Sequence, residues 1–406
     1  MNALLGSMNY IFIFVSLYFE VFLLMSIIDS PDETKSEEDY FPYMDVIVPI
    51  FNEEKTIAKT LHSLLALDYP KDKYNILAID DGSTDGTLEA LKHFKDHKNI
   101  IVLSKPNGGK HTALNLGIST SKAEFIGCLD ADSFVDREAL KLIARRFRNE
   151  HVMAVTPSVV IDDANNIIRK TQKAEYQYGN FVRKAFCAIG AIHIAPGPFS
   201  FYRKSVFEKV GMYRKAHNTE DMEMAMRLQK NGLKIVNEPL ALVYTVGPSS
   251  IKKLYKQRVR WVSGFLANLI DYKGMVFNKK YGDLGLIVLP FAAFGVFISI
   301  FVFIKGILSL IKSLWMEFQK IYFGGFYFHF PSFDWFYFDT SAISILGITL
   351  LAITIFTVWL GHKISTGKWH FSFEFIYFFT IYIIISPFWI SKALYNTITS
   401  REASWR

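Results

Sequence analysis

Asp45-Val46-Ile47-Val48-Pro49-Ile50-Phe51-Asn52-Glu53-Glu54 is a short β-rich run that breaks into a polar loop, and the same design recurs three times downstream. Residues 75–79 lead into Asp80-Asp81-Gly82-Ser83-Thr84-Asp85-Gly86. Residues 100–103 lead into Lys105-Pro106-Asn107-Gly108-Gly109-Lys110, and residues 125–129 into Asp130-Ala131-Asp132. Between these runs lie helical patterns over residues 56–67 (Ile57, Leu61, Leu64, Leu65), 87–94 and 111–118. Strands separated by helices of this length predict an α/β fold with a mostly parallel sheet. No G-x-G-x-x-G follows the first strand, so the dinucleotide fingerprint is absent. An open α/β sheet binds its ligand beyond the carboxyl ends of the strands, where all four loops fall. Singly, each is ordinary turn chemistry; four in register at one edge make a site.

The residue types suit a nucleotide with phosphates. A carboxylate after the second strand can accept a hydrogen bond from a nucleobase N–H. Lysines and exposed amides of the glycine loop suit phosphate. Asp130-x-Asp132 ends a buried run, where alternation puts both carboxylates on one side. Such hard oxygen donors suit Mg²⁺ or Mn²⁺, which bridge to diphosphates.

Three further motifs follow: Gly197-Pro198-Phe199-Ser200-Phe201-Tyr202-Arg203, Thr219-Glu220-Asp221 and Gln257-Arg258-Val259-Arg260-Trp261. As an ordered set over roughly residues 45–265, the motifs resemble the GT-A domain of processive family 2 membrane glycosyltransferases. Chitin-oligosaccharide, hyaluronan and poly-N-acetylglucosamine synthases are similar in layout; cellulose synthases are related, but their Cys in the acceptor segment is absent here. The resemblance implies that Asp81 or Asp80 contacts the base and that Lys105 and Lys110 lie near the uridine diphosphate. Asn52, Glu54, Asn107 and Asp130 complete that pocket, and Asp130 with Asp132 holds Mg²⁺ or Mn²⁺. Asp221, beside Glu220, is the implied base for the acceptor hydroxyl, with inversion at the anomeric carbon. Gln257, Arg260 and Trp261 face the acceptor, Trp261 stacking on sugar, while Arg260 or Arg258 steadies the diphosphate. The implied donor is UDP-N-acetylglucosamine and the acceptor a growing polysaccharide exported across the membrane. The alternative is a non-processive transferase adding one sugar to a lipid phosphate; a channel or flippase with a regulatory nucleotide domain is a further alternative, disfavoured by the intact motifs.

Composition supplies the setting. The 406 residues are 51% hydrophobic and include 37 Phe and 20 Tyr, which suits a chain facing lipid. Spanning a bilayer takes roughly 20 apolar residues as helix. Residues 9–28, 284–304, 342–360 and 373–391 qualify. The first reads as a retained anchor: no basic residue precedes it and acidic residues follow. Glu20 inside it is either a functional carboxylate or one facing a partner or water. The expected organisation is an N-terminal transmembrane helix (1–28), a cytosolic GT-A catalytic domain (29–248), interface helices with the Gln-x-x-Arg-Trp motif (249–283) and a C-terminal transmembrane region (284–406). Residues 251–269 have the pattern of an interfacial amphipathic helix. Nucleotide sugars are cytosolic, so the domain faces the cytosol at the plasma membrane. The 361–370 loop is then inside and the 305–341 loop outside, with an interfacial aromatic stretch over 322–338. The net charge of +7 is dispersed, which fits cytosolic membrane flanks better than nucleic acid. Two cysteines, Cys128 and Cys187, make no disulfide framework or zinc site. Cys128 reads as a small core hydrophobe, and His111 and His193 as structural.

Overall fold

A computed structural model describes residues 2–28, 39–217, 219–325 and 341–399. The chain runs from helix α1 (Asn2–Ile28) into β1 (Met44–Ile50), α2 (Ile57–Leu65), β2 (Tyr74–Asp80), α3 (Thr87–Lys92), β3 (Ile100–Ser104), α4 (Lys110–Thr120) and β4 (Phe125–Cys128). These elements match the expected alternation. Then come β5 (Ser133–Val135), α5 (Ala139–Arg146), β6 (Val152–Asp162), α6 (Ile167–Ala188), β7 (Phe201–Arg203), α7 (Ser205–Val210), α8 (Glu220–Lys230), β8 (Lys234–Val246) and α9 (Ile251–Asp271). Helices α10 (Leu289–Gly324), α11 (Ala342–Thr366) and α12 (Glu374–Ile398) complete the described chain.

The described strands form one eight-stranded sheet in the order β3-β2-β1-β4-β7-β6-β8-β5. The β3-β2-β1-β4 half and the β6–β8 pair are parallel, whereas β7 runs antiparallel to both neighbours and β5 antiparallel to β8. Strand alternation divides the core between two faces. Val46, Val48 and Ile50 pack with Ile57, Leu61 and Leu64 of α2 and Leu140 and Ile143 of α5. Ile47, Leu77 and Ile79 pack with Ala113, Leu114 and Ile118 of α4 and Met224 and Leu228 of α8.

Asp130 and Asp132 lie outside the strand that was expected to orient them. β4 ends at Cys128, and the Ser133 N–H donates to the Asp130 carbonyl at 3.0 Å. A turn, not strand alternation, therefore sets the direction of these carboxylates.

Among the described residues four helices are long and apolar enough to cross a membrane, one before the sheet domain and three after it. The second candidate span exceeds expectation. It continues without a break through Lys305, Lys312 and Lys320 to Gly324, where a loop was expected. The lysines recur every seven or eight residues among apolar ones, so they share one side of a continuing helix. Lys305 donates to Asn9 Oδ1 of α1 at 2.7 Å. At 1.5 Å per residue the 36 residues of α10 extend about 54 Å. The aromatic stretch expected over 322–338 begins in its last turn; residues 326–340 lie outside the described residues.

α6 joins the sheet domain to the apolar helices. Its Phe181 and Ala185 pack with Phe19 and Leu23 of α1 and Leu360 and Ile364 of α11. Glu20 is buried on α1 and accepts the Tyr178 hydroxyl of α6 at 2.6 Å, so its partner is within the protein. A Cβ on Gly361 would stand 1.9 Å from the Gln177 carbonyl, so only glycine lets α11 approach α6 this closely. Lys173 pairs with Glu374 at 2.9 Å, which keeps the start of α12 on the domain side.

Candidate active site

The strand ends open into a cavity of about 760 Å³. Pro49, Phe51, Glu53, Asp81, Asn107 and Lys110 line the end nearest the strand loops. Buried Asp81 accepts Lys105 Nζ at 2.5 Å and the N–H groups of Gly108 and Gly109 at 3.1 and 2.8 Å. This one carboxylate folds the glycine loop over the end of β2 and neutralises Lys105. The loop after β1 is clamped to the loop after β2. Asn52, in the left-handed region at φ 56°, accepts the Thr84 N–H at 2.8 Å, and Glu54 accepts the Gly86 N–H at 2.9 Å. Asp80 is wholly buried and accepts the Ser83 N–H and the Ser104 hydroxyl. Asn52, Glu54, Asp80 and Lys105 are thus braces of the pocket and do not line it.

Lys110, Asp130 and Asp132 line the middle of the cavity. Lys110 Nζ meets Asp130 Oδ1 at 2.5 Å. Burial works against the lysine charge, but Asp130, with Cys128 and Glu220 nearby, offsets it, and together they hold the ammonium above its ordinary value. Burial, with the charges of Asp130 and Glu53, pushes the Asp132 carboxyl up to about 6. That crowding of negative charge fits a divalent cation, which would relieve it. Among the described residues no three His, Cys, Asp or Glu side chains converge as a complete metal cage. Carboxylates that leave coordination positions to phosphate oxygens match the usual way Mg²⁺ is bound.

The far wall comes from α8, α6 and α9. Thr219 precedes α8, whose first turn carries Glu220 and Asp221. The carboxylate of Asp221 accepts the Gly197 N–H at 3.3 Å and the Met222 N–H at 2.9 Å. Burial raises the Asp221 carboxyl, with Lys110 pulling the other way, and burial raises Glu220 as well. Both residues line the cavity. α9 holds Thr219 in place: Asn268 Nδ2 donates to Thr219 Oγ1 at 3.0 Å, and a Cβ on Gly264 would lie 2.3 Å from Thr219 Cγ2. Two turns earlier, Gln257, Arg260 and Trp261 line the cavity. Gln257 Oε1 is buried and accepts no hydrogen bond from the described residues. Arg258 points elsewhere, to Glu175.

Of the expected site residues, Asp81, Asn107, Lys110, Asp130, Asp132, Glu220, Asp221, Gln257, Arg260 and Trp261 share this one cavity, and Asn52, Glu54, Asp80, Lys105 and Arg258 stand behind it. Cys128 also lines it; burial pushes its thiol up to about 12 and its Sγ meets the Gly197 carbonyl at 2.8 Å, so it is inert packing. His193 is buried, held near the Ala191 carbonyl, and burial lowers its pKa; His111 does not line the cavity. Sequence reasoning missed Glu175, Tyr176, Asn180 and Arg183 of α6. The available signal was helical spacing at Ala174, Tyr178, Phe181 and Ala185 behind an Asn166 cap.

Residues 45–211 match the family model described as glycosyl transferase family 2. The chain is 34% identical over 261 residues to a poly-beta-1,6-N-acetyl-D-glucosamine synthase of Staphylococcus epidermidis, covering 63% of this chain and 62% of that one. It is 32% identical over 250 residues to the synthase of the same name from Staphylococcus aureus (strain COL), covering 61% and 60%. The match thus spans less than two thirds of these relatives. A mannosyltransferase of Pyrobaculum calidifontis, solved with GDP-Man and Mn2+, superposes with a TM-score of 0.66 at 16% identity, covering 97% of this chain and 99% of that one, which speaks to the fold. Residues 45–211 therefore match the glycosyl transferase family 2 model and have a GT-A-like α/β architecture, set beside four helices that, among the described residues, can cross a membrane.

Proposed function

We propose that the protein transfers N-acetylglucosamine from UDP-N-acetylglucosamine onto a growing polysaccharide, processively and with inversion, and passes the product across the membrane. The observation that carries this reading is the meeting of Asp81, Asp130, Asp132, Asp221 and Trp261, from distant parts of the chain, around one cavity. The relatives that bear a poly-N-acetylglucosamine synthase name support the choice of sugar. The domain faces the cytosol on this reading, where nucleotide sugars are made.

Asp81 and the glycine loop receive the uridine and its phosphates. Asp130 and Asp132 would hold Mg²⁺ or Mn²⁺, which supplies charge neutralisation on the leaving diphosphate. Asp221 takes the proton of the acceptor hydroxyl as that oxygen bonds to the anomeric carbon. The bond from that carbon to the diphosphate breaks on the opposite face, and UDP departs with the electron pair. A sugar stacked on Trp261 would keep the acceptor chain in place between turns.

The test is a donor panel with the purified full chain in lipid nanodiscs, with Mg²⁺ or Mn²⁺, reading UDP release and product mass. UDP-N-acetylglucosamine should give UDP and a polymer ladder. No UDP from that donor would overturn the donor assignment, and a single lipid-linked sugar would overturn processivity.

A further inference from the structure

The two arginines of the Gln-x-x-Arg-Trp segment go to different places. Arg260 lines the cavity; Arg258 is buried at 4% exposure and does not. The Arg258 guanidinium lies 4.2 Å from the centre of the Trp261 ring. Its Nη2 donates to Glu175 Oε2 at 2.5 Å and to the Tyr382 hydroxyl at 3.2 Å. Tyr382 donates its own O–H to the same Glu175 oxygen and sets its ring edge-on to Trp389, 5.2 Å away. The three members come from α6, α9 and α12, so one cluster joins a cavity wall, the interface helix and a membrane helix.

We propose that Glu175, Arg258 and Tyr382 form a positioning device that fixes the Trp261 indole at the acceptor end of the cavity and ties it to α12. This deepens the function proposed above and rests on it. A buried arginine needs a counter-charge, and Glu175 supplies it; losing one partner leaves the other charge uncompensated. A desolvated guanidinium against an indole holds the ring by cation–π attraction. With one face backed by Arg258, the indole has its other face for a sugar. Among the described residues Arg258 Nε and Nη1 are buried without acceptors, so its hydrogen bonds to Glu175 and Tyr382 are what place the guanidinium beside Trp261. Arg258 thereby acts through Trp261, and Arg260 is left to meet the diphosphate.

The experiment uses the full chain in nanodiscs with UDP-N-acetylglucosamine and a short N-acetylglucosamine oligomer. It reads acceptor-free UDP release, transfer to the oligomer, KM for donor and for oligomer, and thermal unfolding. Tyr382→Phe should leave acceptor-free UDP release unchanged and lower the ratio of transfer to hydrolysis roughly threefold, the weight of one hydrogen bond. Glu175→Gln should lower that ratio roughly tenfold and reduce thermal stability, because it leaves a buried charge unpaired. The double variant Glu175→Gln with Arg258→Met removes both charges. It should regain thermal stability while KM for the oligomer stays raised, since the indole has lost its backing. Recovery of the oligomer KM together with stability would reduce the cluster to a folding role and overturn the proposal. A raised donor KM with an unchanged oligomer KM would return Arg258 to the diphosphate and overturn it equally. A wild-type protein that releases no UDP from the donor would sink the proposed function first, and this inference with it.

Discussion

The end of the cavity proposed for the donor is held by its own loops, whereas the end proposed for the acceptor is held by helices that pack against the apolar, membrane-competent ones. At the donor end Asn52 grips Thr84, Glu54 grips Gly86, and Asp81 grips Gly108 and Gly109. Every partner is a neighbour at the same sheet edge, and most bonds are to backbone N–H groups. At the acceptor end Asp221 follows Thr219, which Asn268 of α9 holds, and Trp261 leans on Arg258, which Glu175 and Tyr382 hold. A nucleotide pocket can therefore be organised by turn chemistry alone. An acceptor site of this kind depends on how α6, α8, α9 and α12 dock. Donor-end lesions should depress donor hydrolysis and transfer together, while acceptor-end lesions should separate them.

The largest effect tests the junction of the two ends. Asp221→Asn keeps the shape and removes the base, so transfer should fall roughly a thousandfold, within the span of general base catalysis. UDP-sugar binding, measured by titration calorimetry, should persist. Transfer at the wild-type rate would remove Asp221 from the chemistry and leave the acceptor end without its central residue.

Next in size is the donor end itself. Asp132→Ala, or chelation of divalent metal, should lower both hydrolysis and transfer by about a hundredfold or more, since a metal supplies several kcal/mol of charge stabilisation. Mg²⁺ or Mn²⁺ added back should restore the chelated wild type and not the variant. If transfer alone fell, Asp132 would belong to the acceptor end and the division drawn above would fail.

The same division explains what the sequence made legible. Strands β1 to β4 and their loops were readable because each polar loop follows an apolar run, a local pattern. Asp80 and Lys105 were expected at the nucleotide but stand behind the cavity lining, because nothing local distinguishes a carboxylate that caps Ser83 from one that faces a nucleobase. Residue type also could not locate Arg258: its Glu175 lies 83 positions away and its Tyr382 124 away. α6 was not recognised, since its apolar positions are diluted by Gln177, Asn180 and Arg183, which are polar because they face the protein and the cavity. The extent of α10 was misjudged because Lys305 reads as a flank, whereas its ammonium finds Asn9 on α1.

A smaller effect probes the grip of α9 on α8. Gly264→Ala places a methyl 2.3 Å from Thr219 Cγ2, so the helices must part. Overpacking of this kind costs about 1–3 kcal/mol. The displaced start of α8 should slow transfer roughly tenfold, as misplaced catalytic groups do, with donor binding unchanged. Thermal unfolding and the two KM values check this. Parallel loss of donor binding would mean that α9 also shapes the nucleotide pocket, and the two ends would not be separable.

The smallest effect is a displacement along the pH axis. Asp221 must be ionised to accept a proton, and burial holds its carboxyl above the ordinary aspartate value while Lys110 only partly draws it back. As pH falls through that raised value the base is protonated and transfer declines tenfold per further pH unit. The acidic limb of kcat for transfer should therefore lie at higher pH than an exposed aspartate would give. The sign follows from burial, which penalises the charged form: a base at the rim, open to water, would keep working at lower pH. The limb should also shift less with added salt than that of an exposed carboxylate, because a half-buried group inside a cavity is screened less. An acidic limb at the ordinary carboxylate value, moving with ionic strength, would mean that water reaches Asp221 freely. The helices around it would then not enclose the acceptor end, and the contrast between a loop-built pocket and a helix-enclosed one would lose its chemical meaning.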